Sequence, residues 1–306
     1  MSATHWPDPV TLTVERDDAR LAGSLWATDH EPRAAVLMWP GSGPSDRHND
    51  VYFPPIREHF LSLGLAVCSY DKRGVGESTG SWLTSGIDVQ TADALACVEH
   101  VSALLPGVPV GLFGHSQGGW VVIEAAAKRP DLAFVIANSG PGVSPAAQER
   151  YATMARLVDQ ARSIEEFADA LRCFDLVLTC MSAGAAFAST AARVERAGLT
   201  HVYRRPDLFS FPLDDPDVWP YATVIIDHDP RRAMRSLAVP TLALFGANDH
   251  VVPVDSSVAA YESYVAPELL TIAVLPDGDH RIQRDGQLVD GYVAALDAFV
   301  PSALMR

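Results

Sequence analysis

A serine flanked by glycines joins a short apolar run to a helix-forming segment near the middle of the chain. The apolar run is Val108 to Phe113, the junction is Gly114-His115-Ser116-Gln117-Gly118, and the helical segment extends from Gln117 to Lys128. Glycines on both sides allow a tight, strained turn that presents the serine hydroxyl at the end of a strand. The pattern predicts a strand, turn and helix with Ser116 as a nucleophile. The alternative is a tight turn that carries an inert serine.

Short apolar runs alternate with helical segments through most of the chain, which predicts the fold class. The runs are Ala34 to Trp39, Leu65 to Tyr70, Val108 to Phe113, Phe134 to Ala137, Thr241 to Phe245 and Leu270 to Val274. Such runs are typical of strands that helices cover on both faces. Before them, Val10 to Val14 and Leu21 to Trp26 predict an antiparallel hairpin at a sheet edge. The predicted class is α/β, with a mostly parallel central sheet flanked by helices.

Helical periodicity is found in the segments between the apolar runs. It is also found in a long stretch, residues 141–235, where the alternation of apolar runs and helical segments stops. Outside the interruption we predict helices over Asp88 to Leu104, Gln117 to Lys128 and Leu288 to Val300. Inside it, the helical patterns are Gln148 to Ala161, Ile164 to Leu178 and Ala185 to Ala197, followed by an aromatic connecting loop from Arg204 to Tyr221. We therefore predict a core of residues 1–140 and 236–306, with residues 141–235 as a helical cap, or lid, inserted after the sixth core strand.

The net charge of −15 limits the partners that we expect. It repels nucleic-acid phosphates and anionic membrane surfaces, and no Lys/Arg-rich run offers a local exception. The start, from Met1 to Asp8, lacks a basic region followed by an apolar stretch, so we expect a cytoplasmic protein. The predicted partner is a small, uncharged molecule, with no nucleic acid and no membrane; the oligomeric state is left open.

Four cysteines occur without the spacing of a metal site or of a redox pair; they are Cys68, Cys97, Cys173 and Cys180. Buried free thiols are the favoured interpretation. No histidine-rich ligand spacing appears either, so we expect no metal.

A nucleophilic serine needs a histidine as general base and a carboxylate that orients it, and in this architecture they follow the serine in the order acid, then histidine. Asp249 lies just after the run that ends at Phe245, and His280 lies just after the next run. These two residues are the predicted acid and base. The rival base is His250; the nearby acids that could instead be solvated turn residues are Asp255, Asp277 and Asp279.

The oxyanion formed during acyl transfer needs backbone N–H donors, one after the nucleophile and one from the loop after the third strand. Gln117 supplies the first. Ser42, between Gly41 and Gly43 in the loop after Trp39, is the predicted second donor.

Several motifs together carry a family resemblance; they are Gly41-Ser42-Gly43-Pro44-Ser45-Asp46-Arg47, Asp71-Lys72-Arg73-Gly74-Val75-Gly76-Glu77-Ser78, Gly114-His115-Ser116-Gln117-Gly118 and Asn248-Asp249-His250-Val251-Val252-Pro253. The chain resembles the bacterial α/β-hydrolase family of capped, dienelactone-hydrolase-like serine carboxylesterases. The resemblance implies the α/β-hydrolase fold and esterase or thioesterase activity without a cofactor. Some members carry a histidine where this chain has Pro40, which offers no donor. Four charged residues of the motifs predict a structural ion-pair network that braces two loops; they are Asp46, Arg47, Asp71 and Arg73.

The predicted function is hydrolysis of a carboxylic ester or thioester through an acyl-enzyme on Ser116. Acyl transfer, lactone opening and perhydrolysis use the same three side chains, and the sequence leaves them open. A non-catalytic small-molecule receptor on this fold is the alternative from another class. Trp39 precedes the loop that contains Ser42, which we call the oxyanion loop, and Trp120 follows the nucleophile. Each could contact a ligand or pack in the core, and the sequence favours neither role.

Overall fold

The computed structural model describes residues 7–16 and 18–305. Eight strands form one sheet in the order β1-β2-β4-β3-β5-β6-β7-β8, and two further strands form a separate hairpin. The strands are β1 Val10–Glu15, β2 Arg20–Trp26, β3 Ala34–Trp39, β4 Leu65–Tyr70, β5 Val110–His115, β6 Val135–Asn138, β7 Thr241–Gly246, β8 Leu270–Leu275, β9 Gln283–Arg284 and β10 Gln287–Leu288.

Only β2 runs against the other strands of the large sheet. β1 pairs antiparallel with β2 and β2 antiparallel with β4, whereas each pair from β4 through β3, β5, β6 and β7 to β8 is parallel. The predicted edge hairpin and mostly parallel sheet are therefore confirmed. Because the strands are parallel, their carboxyl ends meet at one edge of the sheet, where Gly114 pairs with Trp39 and His115 with Asn138.

Eleven α-helices occur in the described residues; they are α1 Phe53–Ser62, α2 Ile87–Leu104, α3 Gln117–Lys128, α4 Pro145–Gln160, α5 Ile164–Ser182, α6 Phe187–Arg196, α7 Thr200–Tyr203, α8 Trp219–Ile225, α9 Arg231–Arg235, α10 Val254–Tyr264 and α11 Tyr292–Ala303. The predicted helices α2 and α3 are confirmed. The last helix begins at Tyr292 and not at Leu288, because Leu288 pairs with Gln283 in the β9–β10 hairpin. The spacing of apolar residues does not reveal a strand of only two residues, because such a strand is too short to show a repeat.

Two hydrophobic clusters cover the two faces of the sheet. Successive strand residues point to opposite faces, so Leu37 packs in the cluster beneath α2 and α3, and Val36 packs in the cluster beneath α1 and α11. All four cysteines are buried and free, as predicted. Within the described residues, no helix has the length and apolar character needed to cross a membrane.

The chain between β6 and β7 holds helices α4 to α9. A third hydrophobic cluster lies in this segment and includes Phe174, Phe209 and Trp219. Helix α9 is different, because its Ala233 and Met234 pack in the cluster beneath α3. The aromatic stretch from Arg204 to Tyr221 was predicted to be a connecting loop, but it contains a helical turn at Pro206–Leu208 and the start of α8. We call residues 141–235 the insertion; its role as a cap remains a prediction.

Buried ion pairs hold the loop that follows β4. Asp71 accepts three hydrogen bonds from Arg47, from its backbone N–H at 2.7 Å and from Nε and Nη2 at 3.1 and 2.9 Å. Arg73 donates to both oxygens of Asp93 in α2, at 2.6 and 2.8 Å. These contacts agree with the predicted network for Arg47, Asp71 and Arg73. Asp46 instead accepts from the backbone N–H groups of residues 48 and 49 and stabilises its own turn.

Replacing Arg73 by methionine should destabilise the protein by about 3 kcal/mol, because it leaves the buried Asp93 carboxylate without its main partner. Only 2% of Asp93 is exposed, and its remaining cation is Arg16 at 3.3 Å. Chemical denaturation of the purified protein measures the loss. Arg129→Met, which breaks a solvent-exposed pair with Asp131, is the control and should cost less than about 1 kcal/mol. Equal losses in the two variants would contradict the expected role of the buried pair.

Candidate active site

Ser116 lies at the turn between β5 and α3, at the carboxyl edge of the sheet. Its backbone has φ 53° and ψ −120°, a conformation that L-residues rarely adopt. The N–H of Ser116 donates to the carbonyl of Asn138 in β6 at 2.9 Å, and its carbonyl accepts from the N–H of Gly119 at 2.8 Å. The turn is thus fixed from both sides, as a nucleophile elbow requires.

The two glycines of the motif are needed because backbone atoms occupy the space where side chains would be. A Cβ on Gly114 would lie 2.1 Å from the carbonyl oxygen of Gly118. A Cβ on Gly118 would lie 2.4 Å from the carbonyl oxygen of Trp39, at the end of β3. The sequence motif therefore reflects close packing of β5, α3 and the loop after β3 around Ser116.

His280 reaches Ser116 from the loop after β8. Its Nε2 lies 2.9 Å from Oγ of Ser116, and its Nδ1 lies 2.8 Å from Oδ2 of Asp249. The structure therefore brings together the three predicted residues, which are separated by up to 164 positions in the chain. The rival His250 is exposed, Asp279 binds the backbone N–H groups of Arg281 and Gln283, and Asp277 pairs with Arg284 at the surface.

Asp249 is oriented by the backbone of its own loop. Its Oδ1 accepts from the N–H groups of Val251 and Val252 at 2.7 and 2.8 Å, which leaves Oδ2 for His280. The side chain has no solvent exposure. The carbonyl of Asp249 accepts from the hydroxyl of Tyr151, in α4 of the insertion, at 2.9 Å. Sequence reasoning missed Tyr151, since no local pattern distinguishes it from other residues of an amphipathic helix.

A buried polar group supports the elbow from behind. The ring of His115 lies 5.1 Å from the ring of His280, and its Nδ1 is 3.3 Å from Nδ2 of Asn138. Asn138 in turn contacts the hydroxyls of Tyr52 and Tyr292. Burial, and to a smaller degree the neighbouring His280, lowers the pKa of His115 well below its usual value, so His115 is neutral at physiological pH.

The two predicted oxyanion donors lie on either side of Ser116. Gly41 is close enough that a Cβ on it would lie 3.3 Å from Cβ of Ser116, and Ser42 follows it at the cavity wall. Gln117 is the first residue of α3, where backbone N–H groups have no partner within the helix. In residues 7–16 and 18–305, neither the N–H of Ser42 nor that of Gln117 donates to a protein acceptor.

A cavity of about 410 Å³ opens above Ser116 and His280. Helices α4 and α8 of the insertion supply one side of it. That side combines apolar side chains with polar ones; the apolar members include Val218, Ala222, Ile225 and Ile226, and the polar members include Gln148, Glu149, Arg156 and Tyr221. Trp39 and Trp120 do not line this cavity and pack in the core beneath α3. The described residues contain no group of three or more His, Cys, Asp or Glu side chains placed to hold a metal ion.

Comparison with known proteins adds to this geometry. A family model described as Serine aminopeptidase, S33 matches residues 30–171, which include the oxyanion loop and the elbow. An esterase of Pyrococcus furiosus superposes with a TM-score of 0.65 at 17% identity, over 96% of this chain and 91% of the esterase. The chain has the α/β-hydrolase fold.

Two relatives in sequence share parts of this α/β-hydrolase chain. Human monoglyceride lipase is 32% identical over 118 residues, which are 38% of this chain and 38% of the lipase. The mitochondrial palmitoyl-protein thioesterase of Mus musculus is 21% identical over 262 residues, which are 83% of this chain and 73% of the thioesterase. The match to the lipase thus spans well under half of that relative. The predicted class of enzyme, a serine hydrolase, agrees with the family description and with both relatives.

Replacing Asp249 by asparagine should lower kcat by about 10⁴-fold with little change in KM, because the amide stabilises the wrong histidine tautomer and cannot stabilise an imidazolium. Initial rates with a p-nitrophenyl ester measure this. Asp255→Asn is the matched control, because Asp255 is exposed in the first turn of α10. A loss of activity in the Asp255 variant but not in the Asp249 variant would show that the acid has been misassigned.

Proposed function

We propose that this chain is a serine hydrolase that cleaves a carboxylic ester or thioester through an acyl-enzyme on Ser116. The observation that carries the proposal is the continuous hydrogen-bond chain from Oγ of Ser116 through His280 to the buried Asp249. This arrangement activates a hydroxyl that is otherwise a weak nucleophile. The family match and the names of the two relatives support the same class of reaction.

The mechanism follows from the placement of the groups. Oγ of Ser116 attacks the substrate carbonyl while Nε2 of His280 takes its proton, and Asp249 stabilises the imidazolium that results. The N–H groups of Ser42 and Gln117 bind the oxyanion. His280 then gives the proton to the departing alcohol or thiol. A water molecule, deprotonated by His280, then attacks the acyl-enzyme. The bond between the acyl group and Oγ of Ser116 breaks, His280 gives its proton to Oγ, and the acid is released.

The insertion, residues 141–235, is proposed to act as a cap that shapes the substrate site. Support comes from α4 and α8, which line the cavity above Ser116, and from the bond between Tyr151 and the Asp249 loop. The apolar residues of this wall favour a small, apolar acyl or alcohol group. We further propose that the chain is of the dienelactone-hydrolase-like subtype and of bacterial origin, which the sequence motifs support. The proposal also includes a cytoplasmic location and no nucleic-acid or membrane partner, and the negative charge supports the absence of such partners.

Acyl transfer and perhydrolysis differ from hydrolysis in the nucleophile that resolves the acyl-enzyme. Lactone opening differs in the substrate, a cyclic ester whose alcohol stays attached to the acyl group. All three remain open. A non-catalytic receptor is the alternative from another class. A set of rates with esters, thioesters and lactones of increasing acyl chain length identifies the preferred class of acyl substrate.

Ser116→Ala should abolish turnover of a p-nitrophenyl ester and covalent labelling by a fluorophosphonate probe while leaving the fold intact. Mass spectrometry locates the label, and circular dichroism checks the fold. Ser263→Ala removes an exposed hydroxyl of α10 and should retain both properties. Ligand-induced thermal stabilisation of the wild-type protein, with no labelling and no turnover, would instead support the receptor.

A second candidate function is cleavage of a substrate that carries an ammonium group near the scissile bond. The observation that favours it is Glu149, whose carboxylate lies in the same cavity as Ser116. Oε1 of Glu149 accepts from Gln148 at 3.1 Å, and no Lys, Arg or His nitrogen of the described residues forms an ion pair with it. A carboxylate that forms no ion pair at a substrate site can bind an ammonium group. The guanidinium of Arg156, which also lines the cavity, acts on Glu149 at longer range.

If Glu149 binds an ammonium group, Glu149→Gln should raise KM for an aminoacyl p-nitroanilide or ester by about tenfold or more, equivalent to about 1.4 kcal/mol, and should leave KM for the N-acetylated analogue unchanged. Steady-state kinetics with the paired substrates measures both constants. Glu262→Gln, at an exposed position of α10, is the control. Equal activity of wild type toward free and acetylated substrates would exclude this second candidate.

A further inference from the structure

A buried lysine lies beneath the loop that carries Ser42. Lys72 follows β4 by two residues and is 5% exposed. Its Nζ donates to the carbonyl oxygen of Gly41 and, at 3.3 Å, to Oε1 of Gln117. One ammonium group therefore binds both segments from which the oxyanion donors are expected, the loop after β3 and the first residue of α3.

Lys72 has no counter-ion in the part of the chain that the structure describes, since no carboxylate oxygen forms an ion pair with it. Two acidic residues lie close to Lys72, and both have other partners. Asp71, which precedes Lys72 in the chain, binds Arg47, and Asp93 of α2 binds Arg73. A buried ammonium without a carboxylate is costly and uncommon. Its two acceptors are both uncharged oxygen atoms at the oxyanion site, which indicates a role there.

The geometry of the peptide bond turns this contact into an orientation of the donor. The carbonyl of Gly41 and the N–H of Ser42 belong to the same peptide unit, and every peptide bond of the described residues is trans. In a planar trans peptide the C=O and N–H point in opposite directions. Holding the Gly41 oxygen on the Lys72 side therefore turns the Ser42 N–H to the other side of the loop, away from the lysine.

We propose that Lys72 is the positioning residue of the oxyanion hole: its ammonium group fixes the Gly41–Ser42 peptide and links it to the side chain of Gln117, so that the Ser42 N–H points to the substrate oxygen that the Gln117 N–H also faces. The inference rests on the proposed function, because it concerns the same site. Pro40, just before this loop, has neither a backbone donor nor a polar side chain. Lys72 supplies the support from the opposite side.

The charge of Lys72 adds to the orientation. When the oxyanion forms, the ammonium polarises the Gly41–Ser42 peptide and favours negative charge at its N–H end. Burial lowers the pKa of Lys72 to about 7. The titratable groups around the small cavity beside it are Asp71, Arg73, Asp93 and Tyr221. Because the charged form is the one that stabilises an oxyanion, kcat should decline as pH rises through the pKa of Lys72.

The first test compares Lys72→Met with Lys128→Met. Lys128, at the exposed end of α3, is the only other lysine of the chain. Removal of one direct oxyanion donor costs about 10²–10³-fold in kcat, and we expect about 10- to 100-fold for Lys72→Met, which acts through the donors. KM should change by less than about threefold. The affinity for a trifluoromethyl ketone, the probe that forms an oxyanion on Ser116, should fall in parallel with kcat. The decline of kcat at alkaline pH should disappear. Lys128→Met should match wild type in all of these.

An unchanged kcat, or a loss of kcat without weaker binding of the ketone, would overturn the proposal. A purely structural role would lower the thermal midpoint and the active fraction found by fluorophosphonate titration, but not kcat per active site. If wild type itself neither hydrolyses esters nor takes the fluorophosphonate label, the proposed function fails. If wild type is active and Lys72→Met is equally active, only the role of Lys72 fails.

The second test needs no variant at position 72 to fold. Lysine labelled with ¹³C at Cε gives two signals in this chain, and Lys128→Met assigns them. A titration followed by NMR gives the pKa of Lys72 in the free protein and in the complex with the trifluoromethyl ketone. The oxyanion of the complex is a negative charge bound by the Gly41–Ser42 peptide, and it favours the charged form of Lys72. It should therefore raise the pKa of Lys72 by one unit or more, while the pKa of Lys128 stays constant. An unchanged pKa of Lys72 in the complex would contradict the proposal.

Discussion

The strained backbone of Ser116 is the constraint on which the rest of the site depends. A positive φ at a serine is unfavourable, and the surrounding structure must hold it. Here the hold comes from close packing and from hydrogen bonds: the glycine at 114 meets the carbonyl of Gly118, Gly118 meets the end of β3, and the Ser116 N–H bonds to β6. Any side chain at these glycines would separate β5, α3 and the oxyanion loop, which together form the site.

Polar groups behind this turn are satisfied by one another and not by solvent. His115, Asn138, Tyr52 and Tyr292 form a connected group beneath the elbow. On the other side, Asp71 and Arg73 are bound to Arg47 and Asp93, which fixes the loop after β4. Since Lys72 lies between these two anchored residues, its side chain has a defined place beneath the Gly41–Ser42 peptide. The ion pairs therefore act on the chemistry indirectly, by locating a lysine that forms no ion pair with any of the described residues.

The insertion contributes to the site in a different way. It brings Tyr151 to the carbonyl of Asp249 and places the hydroxyl of Tyr221 beside Ser42 and Gln117. Burial raises the pKa of the Tyr221 hydroxyl, so it remains a neutral group at this position. A change in the position of α4 or α8 would move these contacts together with the cavity wall. The cavity wall and the positions of Asp249 and the Ser42 loop are thus coupled through the same two helices.

The sequence by itself determined the eight strands of the large sheet, the helices α2 and α3, and the elbow at Ser116. These features depend on local periodicity and on glycines at fixed spacing, which short segments encode. It also limited the acid and the base to a few residues by their order after the strands. It did not locate the start of α11, where a two-residue hairpin replaces the first helical turn.

Only the tertiary structure decided which aspartate and histidine meet Ser116, which side chains line the cavity, and that Lys72 lies beneath the oxyanion loop. In the sequence, Lys72 is one residue of a charged motif, and nothing near it indicates that its partners are Gly41 and Gln117. Such contacts join residues between 31 and 164 positions apart. They depend on the order in which the strands pack, because that order, and not the local pattern, brings the ends of β3, β4, β5, β7 and β8 to one edge of the sheet.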